Sequence, residues 1–268
     1  MKKIAILGVL FLAIGSVAHV AAAPLFAIGQ DNVLGFQAVG SKSGSATPTV
    51  GDKFFGVANV QDNTVNGGVI WNAQNVSSPY DSFSAYFVTE IKSVTATLTS
   101  LGTFYDVKMG VASSDPNGIM SSADLAAGTI MKLFTDTTTP YTSGSVTTGI
   151  ANATDGALWA SLGMTAAGGF WNVSLAPNGF PSGTNGGINF ITNNTGMNWA
   201  KVADPSCTGG GCDMVFSSTF STLSGAWQYG INDPATIHPL SVPLPAAAWL
   251  LGSGLISLAS FARRKTLG

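Results

Sequence analysis

The 268-residue chain is 46% hydrophobic and only 9% charged, with a formal net charge of −2. Globular domains average about 25% charged residues, so the polarity here comes largely from Gly, Ser, Thr and Asn. All 13 acidic residues and six of the lysines lie within residues 24–241, which therefore carry a net charge of −7 and no arginine. This balance excludes nucleic acid as an expected partner, because nucleic-acid binding needs a basic patch.

The N-terminal residues have the organisation of a cleaved secretory signal. Lys2 and Lys3 form a positive start, residues 4–17 form an apolar segment, and residues 20–23 supply small side chains for signal peptidase. A permanent membrane span is usually longer than this segment. The sequence therefore predicts a signal peptide at residues 1–23 and export of the rest of the chain.

The middle of the chain has the pattern of short strands separated by Gly- and Asn-rich turns. Residues 93–101 and 104–112 alternate apolar and polar side chains, which predicts half-buried strands, on either side of a predicted hairpin turn at 101–103. Many short strands of this kind predict an all-β fold, an antiparallel β-sandwich or jelly-roll-like domain, over residues 24–232. Further strands are predicted at 53–60, 68–72, 82–90, 129–134, 169–175, 187–192, 214–220 and 226–231.

One short helix is predicted in the segment MSSADLAAGTI, capped by Ser121 or Ser122. Asp115 and Asn117 in the preceding DPNG segment, together with Asp124, are oxygen ligands of the kind that calcium takes. The EF-hand pattern is not met, because no closing glutamate follows, and DPNG is also a good plain β-turn. These three residues are weak calcium candidates, and no other metal ligand or cofactor is predicted.

Side chains suited to catalysis are scarce. His238 is the one histidine outside the signal, and Glu90 is the one glutamate. A Ser-His-Asp triad or a zinc site needs more imidazole or thiolate groups than this. We therefore expect no enzymatic activity. A secreted hydrolase remains an alternative, because a glycosidase needs two carboxylates and the chain has twelve aspartates.

Five tryptophans lie within the predicted domain. Alternation in strands places most aromatic side chains in the core, which is the expectation here. A coplanar pair on an open face would instead stack on sugar rings, and the alternative function is then a carbohydrate-binding module. The five are Trp71, Trp159, Trp171, Trp199 and Trp227.

Two cysteines occur close together in DPSCTGGGCDM. Export places them in an oxidising compartment, where disulfides form and persist. The three glycines between them allow so short a loop to close. The sequence therefore predicts a disulfide between Cys207 and Cys212 that clamps a loop or hairpin.

The chain ends with a predicted tether and an apolar span. Residues 233–242 are predicted to be a short tether after the domain. Residues 244–262 are uncharged and long enough to cross a hydrocarbon core, and Arg263, Arg264 and Lys265 follow directly. Basic residues beside a span tend to stay cytoplasmic. We therefore predict a single C-terminal transmembrane helix, with the domain outside the inner membrane.

The segment from Val242 to Lys265 resembles the C-terminal sorting tag called PEP-CTERM, in its VPLPA variant. The tag itself is assigned to residues 243–265. A proline motif, an apolar span and a basic end occur in the order that the tag requires. The resemblance implies an exosortase of a Gram-negative bacterium, which cuts the exported protein near the proline motif. Leu244 lies at the position where the better-known form of the motif has Glu. In the resembling family, this position affects which exosortase recognises the tag. The motif residues are Val242, Pro243, Leu244, Pro245 and Ala246.

The resemblance also implies a location. The protein is transiently anchored in the inner membrane and then passes to the cell surface or the exopolysaccharide matrix. We expect a non-catalytic adhesive or structural role there. The expected partners are signal peptidase, exosortase, the inner membrane and exopolysaccharide.

Overall fold

The computed structural model describes residues 26–44, 47–73, 82–136, 141–165, 168–177 and 181–240. The predicted signal peptide and the predicted sorting tag with its transmembrane helix lie outside these residues. Neither α-helix in the described part of the chain has the length and hydropathy that crossing a membrane requires.

The described residues form fourteen β-strands, two α-helices and one short 3₁₀ helix. In chain order these elements are β1 (Asn32–Lys42), β2 (Lys53–Val65), β3 (Gly68–Asn72), β4 (Ser82–Thr99), β5 (Gly102–Val111), α1 (Ser122–Ala126), β6 (Thr129–Asp136), α2 (Val146–Thr154), β7 (Ala157–Gly163), β8 (Phe170–Leu175), β9 (Pro181–Asn193), β10 (Asn198–Ala200), β11 (Val202–Ala203), the 3₁₀ helix (Thr208–Gly210), β12 (Gly211–Cys212), β13 (Met214–Thr222) and β14 (Tyr229–Leu240).

The main sheet closes on itself. Its strand order is β3-β2-β1-β14-β13-β9-β7-β6-β4-β5-β8, and the additional pairings β2–β4 and β8–β9 join its two halves. Every pairing in it is antiparallel. The predicted all-β antiparallel class is confirmed. The pairings link the strands into one continuous sheet, apart from the small β11–β12 pair.

The sheet encloses the larger of two apolar clusters. Leu34, Val60, Phe83 and Ile237 are among its completely buried members. A second cluster lies on the outer side of β2 and β4, where α2 and the residues before α1 cover the sheet. Because β4 is covered on both faces, residues 82–91 are all buried, which explains their uninterrupted rather than alternating pattern.

Helix α2 was not predicted from the sequence, because its VTTGIANAT sequence has few strong helix formers. Ser145 caps it by accepting a hydrogen bond from the backbone N–H of Thr148, at 3.2 Å. Gly149 allows the close approach of the helix to its surroundings. A Cβ there would lie 2.2 Å from the Ser143 carbonyl oxygen and 3.1 Å from the Trp227 ring. By contrast, the predicted Ser121 cap of α1 is confirmed.

The predicted tether at residues 233–242 is wrong as far as Leu240. Residues 233–240 form the second half of β14, which lies between β1 and β13 in the sheet. Ala235 and Ile237 continue the inward alternation of Ile231 and are almost fully buried. The two prolines in DPATIHPL led to the error, because proline lacks the amide donor of a strand residue.

The predicted half-burial of residues 93–101 is also wrong. The hairpin of β4 and β5 forms, with Thr99 opposite Gly102. However, its tip extends beyond the core, and Leu98 and Leu101 are 82% and 80% exposed. The alternating pattern therefore predicted the strand correctly. It did not predict the exposure of the strand, because no other layer covers this end of the hairpin.

Candidate functional site

An open polar groove of about 370 Å³ lies on the outer face of β2, β1, β14 and β13. Outward-facing residues of these four strands form its floor, because side chains alternate between the two faces of a strand. The polar groove is defined by Gln37, Ala38, Val39, Asn59, Gln61, Tyr141, Ser143, Thr219, Phe220, Ser221, Leu223, Gly230, Ile231 and Asn232.

Four side-chain amides in the polar groove have no hydrogen-bond partner among the described residues. They belong to Gln37, Asn59, Gln61 and Asn232. The Oδ1 atom of Asn59 is also inaccessible to solvent. Each amide has two donors and an acceptor, and a buried polar atom without a partner costs free energy. The groove therefore presents unused hydrogen-bonding capacity to a ligand.

One wall of the groove is formed by residues before α2 and by the turn between β13 and β14. Trp227 ties these two segments together, since its indole Nε1 donates to the Ser143 carbonyl at 3.0 Å. The backbone N–H of Gln228 donates to the Gly40 carbonyl at 3.0 Å, which fixes the turn to β1. The wall that carries Tyr141 and Leu223 is thus held by hydrogen bonds to its neighbours.

The polar groove contains no Lys, Arg, His, Asp or Glu among its lining residues. Among the described residues that line it, Tyr141 is the one titratable side chain, and burial raises the pKa of that phenol. The hydroxyl group therefore stays protonated at physiological pH and remains a donor. The groove suits a neutral ligand with many hydrogen-bonding groups.

The calcium candidates have other roles in the fold. Asp115 accepts hydrogen bonds from the Tyr86 hydroxyl at 2.5 Å and from the backbone N–H of Met120 at 2.8 Å. Asn117 donates to the Tyr86 hydroxyl at 3.0 Å. Asp124 instead completes the capping box of α1 and pairs with the ammonium group of Lys132, at 2.7 Å. The described residues include no cluster of three or more His, Cys, Asp or Glu side chains suited to a metal.

We expect Tyr86→Phe to lower the free energy of unfolding by about 1–3 kcal/mol, because it leaves the half-buried Asp115 and Asn117 groups without their shared partner. Burial and the neighbouring Asp115 raise the pKa of Tyr86, so the hydroxyl is a donor at neutral pH. Urea denaturation measures the change. Tyr105→Phe is the matched control, since the Tyr105 hydroxyl has no hydrogen bond to the described residues. Equal losses in both variants would contradict this role.

The tryptophans are mainly core residues, as expected. Four of the five are buried, and Trp199 is half-buried against Phe26, Trp159 and Phe190. The rings of Trp159 and Trp199 meet edge to face, with an interplanar angle of 72°. Within the described residues, therefore, no two tryptophans form a coplanar pair on an open face.

The predicted disulfide between Cys207 and Cys212 is present. It closes the 3₁₀ turn at Thr208–Gly210, beside strand β9. Its sulfur atoms lie over Gly187, where a Cβ would come within 2.7 Å of both. The disulfide therefore clamps a local turn onto the main sheet.

Carboxylates that a hydrolase would need are placed away from the polar groove. Glu90 accepts hydrogen bonds from Lys92 at 2.6 Å and from the backbone N–H of Ser113 at 2.7 Å. Although burial opposes ionisation, these bonds hold the pKa of Glu90 at about 2. Asp136 and Asp155 do come together where α2 ends, and burial and the Asp136 charge raise the pKa of Asp155. Neither aspartate lines the groove.

One acidic side chain is enclosed by the sheet itself. Asp233 lines an interior cavity of about 20 Å³ together with Ser218 and apolar side chains of the core. The residue is half-buried as a whole, but its Oδ1 atom is inaccessible and has no hydrogen-bond partner among the described residues. Burial raises the pKa of Asp233 to about 7, against a smaller opposing effect of Ser218.

The polar groove was not predicted from the sequence. Its floor residues come from two strand pairs at opposite ends of the domain; β1 was not predicted, and the predictions for β2, β13 and β14 stopped before these strands end. Asn59 and Asn232 were the available signal, because asparagine is uncommon in strands. Comparison with protein-family models, with curated proteins and with solved structures finds no match for this chain.

Proposed function

We propose that this is an exported, non-catalytic protein of the cell surface or exopolysaccharide matrix, which associates with neutral polysaccharide through the polar groove. The observation that supports this proposal best is the set of four amides, in an uncharged recess, that have no hydrogen-bond partner in the described part of the chain. Sugar hydroxyl groups donate and accept hydrogen bonds, as amides do, so the two complement each other. We also propose that the closed antiparallel sheet is a variant of the β-sandwich or jelly-roll architecture.

Three features of the chain support an extracellular location. Residues 1–23 have the pattern of a secretory signal, and the Cys207–Cys212 disulfide is typical of oxidising compartments. Residues 243–265 resemble a PEP-CTERM tag. In the proposed sequence of events, signal peptidase releases the N-terminus and the tail anchors the protein in the inner membrane. Exosortase then cuts near the proline motif.

The polar groove favours association over catalysis. A hydrolase needs a proton donor and a nucleophile or base at the bound substrate. The groove offers amides, hydroxyls and one tyrosine instead. Binding without reaction is the role that these groups support.

Fractionation of the native host, with and without its exosortase, tests the proposal. We expect the protein in the surface or polysaccharide fraction of the normal host. In the host without exosortase, it should be retained in the inner membrane. The same distribution in both hosts, or recovery from the cytosol, would contradict the proposal.

A further inference from the structure

Four outward-facing residues of the polar groove form one straight row across the strands, which we call the cross-strand row. Gln37 of β1 lies directly opposite Asn59 of β2 on one side and opposite Asn232 of β14 on the other. Asn232 in turn lies directly opposite Thr219 of β13. Three amides and one hydroxyl are therefore aligned perpendicular to the strands.

The cross-strand row is not covered by its neighbours on the same face. Two residues further along the sheet, Gly230 of β14 supplies no side chain, and Leu223 lies above it. In the opposite direction, Gly35 of β1 is paired with Pro234, and the Asp62 carboxylate lies over Gly35, where a Cβ would come within 2.7 Å of its Oδ1 atom. Gln37, Asn232 and Thr219 are exposed, whereas Asn59 is half-buried with an inaccessible Oδ1 atom and can reach a ligand only through its Nδ2 donors.

We infer that the polar groove binds a neutral, unbranched glycan that lies across the strands, with one sugar unit over each of β2, β1, β14 and β13. This inference rests on the proposed function and specifies its ligand. Neighbouring strands are about 4.8 Å apart, so the cross-strand row repeats at about this interval. A pyranose unit in an extended chain advances by roughly the same length, so each unit meets one amide or hydroxyl group.

An extended peptide fits this row less well. Its residues rise by about 3.3 Å, which does not match the spacing between strands. A peptide that joins a sheet also runs along an edge strand and uses backbone groups. The cross-strand row runs perpendicular to the strands and lies on a face. The spacing of the cross-strand row and its orientation perpendicular to the strands both favour a glycan over a peptide.

Acidic glycans do not match the charge of the groove or of the surrounding domain. The groove lining contains no cation that could pair with a carboxylate or sulfate group. Residues 24–241 carry a net charge of −7, which repels a polyanion. Tyr141 and Leu223 in the wall add apolar surface against the faces of sugar rings, a contact typical of sugar sites.

The test uses the processed protein purified from the cells that export it. Its affinity for β-1,4-linked gluco-oligosaccharides, from dimer to hexamer, is measured by calorimetry. We expect the affinity to rise up to the tetramer and then to level off. The Gln37→Ala/Asn232→Ala double variant should bind the tetramer about tenfold or more weakly, since two hydrogen bonds are lost.

Asn185→Ala is the matched control, because this exposed strand amide lies on β9 and does not line the polar groove. It should retain the affinity within about twofold, and all variants should keep the thermal midpoint of the parent. An equal loss in the control, an affinity that does not depend on length, or competition by a neutral Gly-Ser peptide would overturn the inference. Absence of oligosaccharide binding would also overturn it, whereas the proposed export and surface location would still stand if the host fractionation succeeds.

Discussion

A chain that ends at Asn232 is expected not to fold, whereas one that ends at Leu240 is expected to be stable. The difference is the second half of β14, which pairs with β1 on one side and β13 on the other. Its loss opens the closed sheet and removes the almost fully buried Ala235 and Ile237. Burying an isoleucine side chain contributes about 1.5–3 kcal/mol and an alanine methyl group about 0.8 kcal/mol, whereas folded domains are stable by only about 5–15 kcal/mol.

Circular dichroism and resistance to proteolysis measure this effect in two chains that both start at residue 24. The longer chain should unfold cooperatively, and the shorter one should show no transition and be digested rapidly. Both chains lack the predicted tag, so the tag cannot account for a difference between them. Cooperative unfolding of both chains at the same temperature would show that residues 233–240 are a tether after all.

The second large effect is expected from Asp233→Asn, which should stabilise the protein at pH 8 by on the order of 3 kcal/mol. Burial raises the pKa of Asp233 to about 7, well above the ordinary aspartate pKa of about 3.9. The folded protein therefore binds this proton more tightly than the unfolded chain does. The contribution of Asp233 to stability is complete below about pH 4 and is lost as the pH rises to about 7.

Urea denaturation of both proteins at pH 4.5 and pH 8 measures the prediction. The two should be similar in stability at pH 4.5, where Asp233 is protonated and resembles an asparagine. At pH 8 the variant should be clearly more stable. Other carboxylates, such as Glu90 with its lowered pKa, affect both proteins equally and cancel in the comparison. A difference that is independent of pH would contradict the burial of an ionisable Asp233.

Local sequence signals predicted the local parts of this fold. The boundaries of β3, the Ser121 cap and the disulfide depend on residues close together in the chain, where turn, cap and loop preferences act directly. Strands β1 and β7 were missed. In β1, Gly35 and Gly40 resemble turn residues, although Gly40 is packed against Phe54, where a Cβ would lie 3.0 Å from the ring.

The polar groove shows why the rest could not be predicted. Asn59, Gln37, Asn232 and Thr219 become neighbours only when the register of three strand pairs is fixed. That register depends on packing across the whole sheet, which no local pattern encodes. The tryptophans lie mainly in the core, as expected, because their large apolar surface is buried there. The less conspicuous amides were left on the outer face.

The central claim is that the chain is exported and that its tail is removed. The most direct test is the intact mass of the protein isolated from the surface or polysaccharide fraction of its native host. We predict a chain without the signal peptide and without Arg263, Arg264 and Lys265, with a C-terminus near Pro245. A water-soluble extracellular species whose mass includes the complete tail would contradict the account.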